Sequence, residues 1–192
     1  MITATADDIR RAAQRLFATN GYEATTMREI AAAVGIRAAS LYNHFTSKED
    51  ILWDLTATAL SDLESSQSEA LAALPDKADA VQRLRAFVVA HVVFHAVNSE
   101  KAALVNREMG GLSRTHLRRA VTLRDRYEGH LREIIRSGVA RKEFRVPDER
   151  VTSFAILQMG IAVSTWYRAG GGMTPTQLGE LHAELATRMV AA

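Results

Sequence analysis

Helical patterning along the whole sequence is the feature that most constrains the fold. The 192 residues include three prolines, Pro75, Pro147 and Pro175, and each lies beside an expected helix boundary. No window alternates apolar and polar residues for long enough to indicate a strand. We therefore expect an all-α chain of about nine helices, with a small N-terminal helix-turn-helix domain of three helices and a larger C-terminal helical bundle.

Caps and turn-forming residues indicate where the helices begin and end. The expected helices cover residues 7–19, 27–34, 38–44, 47–74, 79–97, 101–109, 113–142 and 147–168, and a last helix begins at 174. We expect residues 1–48 to form the first domain and residues 49–192 the second. The helix at 47–74 connects them, since its second half is polar and rich in alanine.

Composition excludes several kinds of protein. Without cysteine, the chain has no disulfide, no thiolate metal site and no cysteine nucleophile. The first residues lack the basic region and apolar core of a signal peptide. The longest apolar run, residues 86–97, is shorter than the roughly 20 residues of a membrane-spanning helix. We therefore expect a cytoplasmic protein with no membrane partner.

Residues 26–48 have the spacing of a helix-turn-helix. Thr26 and Glu29 match a capping box, and Gly35 stands where a tight turn needs a left-handed residue. Leu41 and Phe45 are expected to face the core. The other residues of the second short helix are expected to face outward: Arg37, Ala38, Ala39, Ser40, Asn43 and His44.

These outward residue types suit a DNA groove. The alanine methyls can pack on thymine methyls, and Arg37 and Asn43 can hydrogen-bond to base edges. The side chains suited to phosphate oxygens are those of Thr26, Tyr42, His44 and Lys48. Any three-helix unit also has caps, a turn glycine and an exposed polar face, so the spacing alone leaves both interpretations open.

Charge by itself does not favour nucleic acid in this segment. Residues 1–50 carry six basic and six acidic side chains, so the excess of positive charge lies elsewhere. From Arg107 to Arg145 there are eleven basic and five acidic side chains. This stretch is either a solvated helix face with ion pairs along it or a surface that binds a ligand with phosphates or carboxylates.

Three strings within residues 7–53 carry a family resemblance. They are Leu-Phe-Ala-Thr-Asn-Gly-Tyr-Glu-Ala-Thr-Thr, Ile-Ala-Ala-Ala-Val-Gly-Ile and Ser-Leu-Tyr-Asn-His-Phe-Thr-Ser-Lys-Glu-Asp. They resemble the N-terminal domain of the TetR family of bacterial transcriptional regulators. The resemblance implies an all-helical, homodimeric repressor of a palindromic double-stranded DNA operator, with no cofactor and no enzyme activity.

The same resemblance implies roles for individual residues. Tyr42, His44 and Lys48 would contact backbone phosphates. The other contributing residues would be Thr26, Arg28, Arg37, Ala38, Ala39, Ser40 and Asn43. The alternative for Arg28 is a solvated position on the outer face of its helix.

The C-terminal half suits a sensor and a dimer interface. Regulators that it resembles bind a small-molecule effector there and dimerise through their last two long helices. Apolar residues at 151–162 and 178–189 form such faces, although they could also pack within one subunit. The candidate effector-binding residues, whose types are also common in plain cores, are Phe87, His91, Phe94, His95, Arg107, Met109, Arg124, Tyr127, Met159, Thr165, Trp166 and Arg168.

A second resemblance covers residues 80–190 and concerns the effector. Asn-Arg-Glu-Met, Leu-Arg-Asp-Arg-Tyr-Glu and Thr-Trp-Tyr-Arg are similar to the sensor domain of a TetR subgroup that responds to acyl-CoA thioesters in lipid or sterol catabolism. This implies an apolar acyl tunnel with Arg107, Arg124 or Arg168 at its mouth. The alternative is a repressor of an efflux or other metabolic operon that responds to a hydrophobic drug-like or metabolite ligand.

Other chemistries are poorly supported. His91 and His95 have a spacing that can hold a metal, but no thiol or His-Glu-x-x-His motif accompanies them, so we expect buried imidazoles and no metal site. Neither a Gly-x-Ser-x-Gly elbow nor a phosphate loop occurs, so we expect no catalytic residues. A third hypothesis is an interaction protein whose helix-turn-helix no longer binds DNA.

Overall fold

The computed structural model describes residues 5–191, and these form nine α-helices and no β-strand. The helices are α1 (Ala6–Asn20), α2 (Met27–Ala33), α3 (Ala38–Tyr42), α4 (Lys48–Ala72), α5 (Ala80–Val97), α6 (Ser99–Glu108), α7 (Arg114–Ala140), α8 (Glu149–Trp166) and α9 (Pro175–Val190). A 3-10 turn at Met109–Gly111 follows α6. The all-α prediction is confirmed.

The helix ends differ from the expected ones by a few residues, for local reasons. Thr5 caps α1, because its hydroxyl accepts from the backbone of Asp8 and the Asp8 carboxylate accepts in return. This starts the helix one residue early. At α3, the helix ends at Tyr42 rather than at His44. The predicted caps of α2 by Thr26 and of α9 by Thr174 are confirmed.

The chain divides into two compact units. One contains the described residues up to Ala59 together with Ala103–Val121, and the other contains Leu60–Ala102 and the described residues from Thr122 onward. Both α4 and α7 therefore contribute residues to each unit. The domain boundary expected at residues 48 and 49 stays a prediction.

In the first unit, α1, α2 and α3 pack around a small apolar core. Ile9 and Phe17 of α1, Ile30 of α2 and Leu41 of α3 are fully buried. The ring of Tyr22 packs edge-on against that of Phe17, with centroids 5.1 Å apart. Arg10 forms an ion pair with Asp54, which ties α1 to the first half of α4.

In the second unit, α5 is the central helix and packs against α8 and α9. Glycines allow the close approach: a Cβ on Gly160 would lie 2.2 Å from Cδ2 of His91, and one on Gly179 would lie 3.2 Å from the carbonyl oxygen of Val89. Among the described residues only α5 is long and apolar enough to cross a membrane, and 56% of it is buried inside the structure, as in a core helix.

Candidate functional site

The segment from α2 to α3 has the geometry of a helix-turn-helix. The hydroxyl of Thr26 accepts a hydrogen bond of 3.3 Å from the backbone of Glu29, whose carboxylate accepts one of 2.7 Å from the Thr26 backbone. The Thr26 hydroxyl also donates to this carboxylate, and this bond, with a smaller contribution from the backbone N–H of Thr26, lowers the pKa of Glu29 because both bonds favour its charged form. Gly35 adopts a φ of 71°, which a glycine tolerates and most residues do not. The turn between α2 and α3 is therefore encoded locally.

Residues 37–45, which comprise α3 and the residues beside it, have one buried face and one exposed face. Leu41 is fully buried and Phe45 is 8% exposed, as predicted. Ala38 is partly exposed. The exposed residues of this segment are Arg37, Ala39, Ser40, Tyr42, Asn43 and His44. Tyr42 presents 52% of its surface to solvent, so its ring and hydroxyl are accessible to a partner.

Polar groups on this face have no protein partner within residues 5–191. The side chains that make no hydrogen bond or ion pair there are those of Arg28, Arg37, Tyr42, Asn43 and His44. Elsewhere in the same unit, Arg10 pairs with Asp54 and Arg107 pairs with Glu108. The face of α3 thus offers unengaged donors beside small residues, the combination that a DNA groove requires.

Two residues predicted to bind phosphate are already engaged. The ammonium of Lys48 donates to the carbonyl oxygens of Tyr22 and Glu23, at 2.7 and 3.1 Å, and lies 4.3 Å from the centre of the Tyr22 ring. Burial raises the pKa of that tyrosine to about 12, with a smaller contribution from Glu49. Thr26 donates its hydroxyl proton to Glu29 at 2.8 Å. Thr26 thus caps α2, and Lys48 ties the start of α4 to the loop that follows α1.

A polar cluster joins the first turn of α4 to α7. Glu49 accepts from the backbone of Ser113 at 2.8 Å and pairs with His116 at 2.8 Å, and the imidazole stacks on Trp53 with centroids 4.7 Å apart. Glu49, Asp50 and His116 offer atoms within 4.8 Å of one another that could ligate a cation. Because these groups bond to each other and to Thr46 and Ser47, the cluster is explained as an internal ion-paired contact.

Five of the candidate effector residues form one aromatic cluster in the second unit. Around His91, ring centroids lie at 4.4 Å for His95, 6.3 Å for Phe87 and 6.3 Å for Tyr127, and Phe94 packs on His95. All five are buried. Burial lowers the pKa of His91 well below its usual value and that of His95 to about 4, so both imidazoles are neutral near pH 7.

A hydrogen-bonded chain runs through this cluster and includes a residue that sequence reasoning missed. Nε2 of His91 lies 3.1 Å from the carbonyl oxygen of Leu157, and Nδ1 lies 3.3 Å from Nε2 of Gln67. Gln67 is fully buried, although it lies in the polar half of α4 that the sequence suggested to be a connector. Its neighbours Leu63 and Leu60, at helical spacing, are buried too and were the available signal.

The other seven candidate effector residues do not form a single site. Arg107 and Met109 belong to the first unit, where Arg107 also donates to the carbonyl of Phe17 at 3.3 Å. Met159 is partly exposed and Thr165 is exposed. Arg124 lies close enough to the buried cluster to influence the pKa values of His95 and Tyr127.

Surface grooves of the second unit include two that bear on the effector. One of about 630 Å³ is lined mainly by α4 and α5 and contains none of the predicted residues. The other, of about 480 Å³, is lined by Trp166, Arg168 and residues of α9 that include Leu181 and Leu185.

In the arginine-rich stretch from Arg107 to Arg145, Arg136 forms ion pairs with Glu133 and Glu149. These pairs favour a solvated helix face for that part of the stretch.

The fold and this face define a helix-turn-helix DNA-binding protein that carries a second, helical unit. Residues 9–55 match the family model described as bacterial regulatory proteins, tetR family, and residues 77–190 match the one described as tetracyclin repressor-like, C-terminal domain. The chain belongs to the TetR family. It is a ligand-responsive transcriptional repressor of this family and not an enzyme.

Similar proteins agree with this assignment. The HTH-type transcriptional repressor KstR2 of Rhodococcus jostii is 31% identical over 169 residues, which are 84% of this chain and 79% of that protein. A bacterial regulatory protein in the tetR family from Rhodococcus RHA1 has a structure with a TM-score of 0.90 and 31% identity, and 97% of each chain is covered. The complex of AibR with isovaleryl coenzyme A and operator DNA has a TM-score of 0.80 and 26% identity, over 95% of this chain and 96% of that one.

Proposed function

We propose that this chain acts as a homodimer that binds a palindromic operator and is released from it by an acyl-CoA thioester. The observation that carries the DNA-binding part is the exposed face of α3, where polar side chains lack protein partners. One such face for each protomer, spaced about one helical turn of DNA apart, would enter successive major grooves.

Within this proposal, the residues of the face divide by chemistry. Arg37 and Asn43 bind base edges, while Tyr42 and His44 bind phosphates. Ala38, Ala39 and Ser40 keep the helix close to the groove. Arg28 and Thr26 contribute from α2, and Lys48 contributes through its ammonium, which has three donors and uses two on the backbone of residues 22 and 23.

The dimer is supported by apolar side chains that no described residue covers. On α8, Val151 is 64% and Phe154 56% exposed, and on α9, Leu181 is 47% and Leu185 48% exposed. Contiguous exposed apolar surface is characteristic of interaction sites. Two such helices from each protomer would form a four-helix interface.

The effector is proposed from the likeness to AibR, whose complex contains isovaleryl coenzyme A, and from the chemistry of the second unit. In this proposal an acyl group contacts the apolar side chains of the buried aromatic cluster, and Arg124 or Arg168 supplies positive charge for the nucleotide phosphates. A hydrophobic drug-like or metabolite effector is the second candidate, favoured by the apolar lining around Trp166. Action in the cytoplasm follows from the proposed DNA binding.

The DNA-binding proposal is tested with a DNA site selected from a random library by the purified protein. Tyr42→Ala should weaken binding of that site about 10- to 100-fold, since each protomer loses a hydrogen bond to a phosphate and the packing around it. Tyr42→Phe isolates the hydroxyl. Val97→Ala, at another exposed apolar position, is the control and should bind normally. Equal affinity of a folded Tyr42→Ala protein would contradict the assigned face.

The effector proposal is tested by fluorescence anisotropy of the same DNA site, labelled with a fluorophore and bound by the protein. Isovaleryl-CoA and straight-chain acyl-CoAs should release the DNA, and coenzyme A alone should not. Release by apolar compounds without coenzyme A, and by no thioester, would favour the second candidate.

A further inference from the structure

The hydrogen-bonded chain in the second unit ends in a buried acceptor. Nε2 of Gln67 is hydrogen-bonded to Nδ1 of His91. Oε1 of the same amide is buried and has no partner among residues 5–191. A buried carbonyl oxygen almost always accepts a hydrogen bond. Oε1 of Gln67 therefore calls for a hydrogen-bond donor.

The direction of this chain is determined by its other end. The carbonyl oxygen of Leu157 can only accept, so the proton of His91 is on Nε2 and Nδ1 is an acceptor. Nδ1 must then face the amide nitrogen of Gln67, and rotating the amide would place two acceptors against each other. Gly160 leaves the space in which the imidazole sits. The orientation of Gln67 on α4 is thus fixed by residues of two other helices, α5 and α8.

The neighbouring imidazole points to the same ligand chemistry. Nδ1 of His95 lies 2.8 Å from the carbonyl oxygen of His91 and must donate, so Nε2 of His95 is an acceptor. Phe87 and Tyr127 supply aromatic walls around the pair. A buried amide acceptor among apolar and aromatic side chains suits an uncharged group that donates a hydrogen bond, because such a group satisfies the acceptor without burying a charge.

We infer that the effector carries a hydroxyl on its apolar part, and that this hydroxyl donates a hydrogen bond to Oε1 of Gln67. The inference rests on the proposed ligand-responsive function. It adds the chemical class of the effector, namely hydroxylated acyl groups or other apolar alcohols. Gln67 then discriminates hydroxylated from unsubstituted ligands, because only the former satisfy the buried acceptor.

The experiment compares ligands that differ in this one group. Affinities of the full-length protein for 3-hydroxybutyryl-CoA and butyryl-CoA are measured by calorimetry, and a second pair without coenzyme A, octan-1-ol and its methyl ether, is measured alongside. We expect the hydroxylated member to bind at least 10-fold more tightly in at least one pair. In Gln67→Leu and Gln67→Met this preference should fall below about 2-fold.

Controls separate this inference from the proposed function. Gln14→Leu makes the same chemical change in the first unit and should keep the preference, and binding of the selected DNA site by each variant reports correct folding. A preference in the alcohol pair alone would support the hydroxyl site and remove the acyl-CoA proposal. Equal affinities within both pairs, or a preference that survives Gln67→Leu and Gln67→Met, would overturn the inference while leaving the DNA-binding function intact.

Discussion

Gly160 illustrates how a single residue determines the interior of the second unit. It lies on α8 opposite His91, and a Cβ there would be 2.2 Å from Cδ2 and 2.7 Å from Nε2 of the imidazole. The ring cannot move aside easily, because both of its nitrogens are hydrogen-bonded. A glycine is therefore required at this position for packing rather than for its backbone angles.

Gly160→Ala should lower the free energy of unfolding by about 1–3 kcal/mol, as overpacked cores do. Gly129→Ala is the matched control, since nothing lies within 4 Å of a Cβ in that position of α7. It should raise stability by about 0.5–1 kcal/mol through the lower flexibility of the unfolded chain. Urea denaturation measures both; similar effects of the two substitutions would contradict the packing argument.

The buried histidines predict how stability depends on pH. The pKa of His95 is about 4 in the folded chain, below the ordinary value of 6.5, so the unfolded state takes up a proton first as pH falls. The stabilisation is complete above pH 6.5 and is lost progressively toward pH 4, and His95 alone should cost about 2 kcal/mol between pH 7 and pH 5. His91 acts in the same direction.

The measurement is a set of urea denaturation curves at pH 7, 6 and 5. His95→Gln should flatten the dependence on pH, since the glutamine does not titrate. An identical slope for the variant and the original chain would rule out this origin of the acid sensitivity.

At the scale of the helices, capping residues determine where α2 and α9 begin. The capping boxes at Thr26 and at Thr174 have the same bonds, in which a hydroxyl accepts from the backbone of the third residue and a side-chain oxygen of that residue accepts in return. Both could be predicted from sequence, because their partners are three residues apart. Lys48 could not, since its partners lie 25 and 26 residues away.

Thr26→Ala and Thr174→Ala should each reduce stability by about 1 kcal/mol. Only Thr26→Ala should also weaken binding of the selected DNA site, because of the two capped helices only α2 lies beside the proposed DNA face. Thr26→Ser keeps the hydroxyl and should restore both properties. Urea denaturation measures stability and fluorescence anisotropy measures DNA affinity, both on the same preparations. Equal loss of DNA affinity in the two alanine variants would remove Thr26 from the proposed interface.

At the scale of the whole molecule, the first unit is neutral in its N-terminal part, with six basic and six acidic side chains in residues 1–50. Residues 1–50 therefore add no net charge that attracts DNA, and two faces acting together would raise the affinity. Coupling two binding faces raises the apparent affinity without any new contact. Assembly is therefore central to the proposed function.

Leu185→Arg, at an exposed position of α9, should convert the proposed dimer to a monomer and reduce affinity for the selected palindrome at least 10-fold. Val97→Arg places the same charge at a residue that is 66% exposed on α5 and should leave the oligomeric state unchanged. Light scattering after gel filtration measures the mass. A dimer that persists in Leu185→Arg would place the interface elsewhere.

The sequence alone determined the helices, their caps, the turn at Gly35 and the exposed face of α3, because these depend on residues at most a few positions apart. It also grouped Phe87, His91 and His95, which share one helix. Only the tertiary structure decided that Gln67 is buried beside His91 and that Arg107 and Met109 belong to the first unit. Those features arise when residues such as 67, 91 and 157 meet in space, and no local periodicity encodes which side chains face each other across helices.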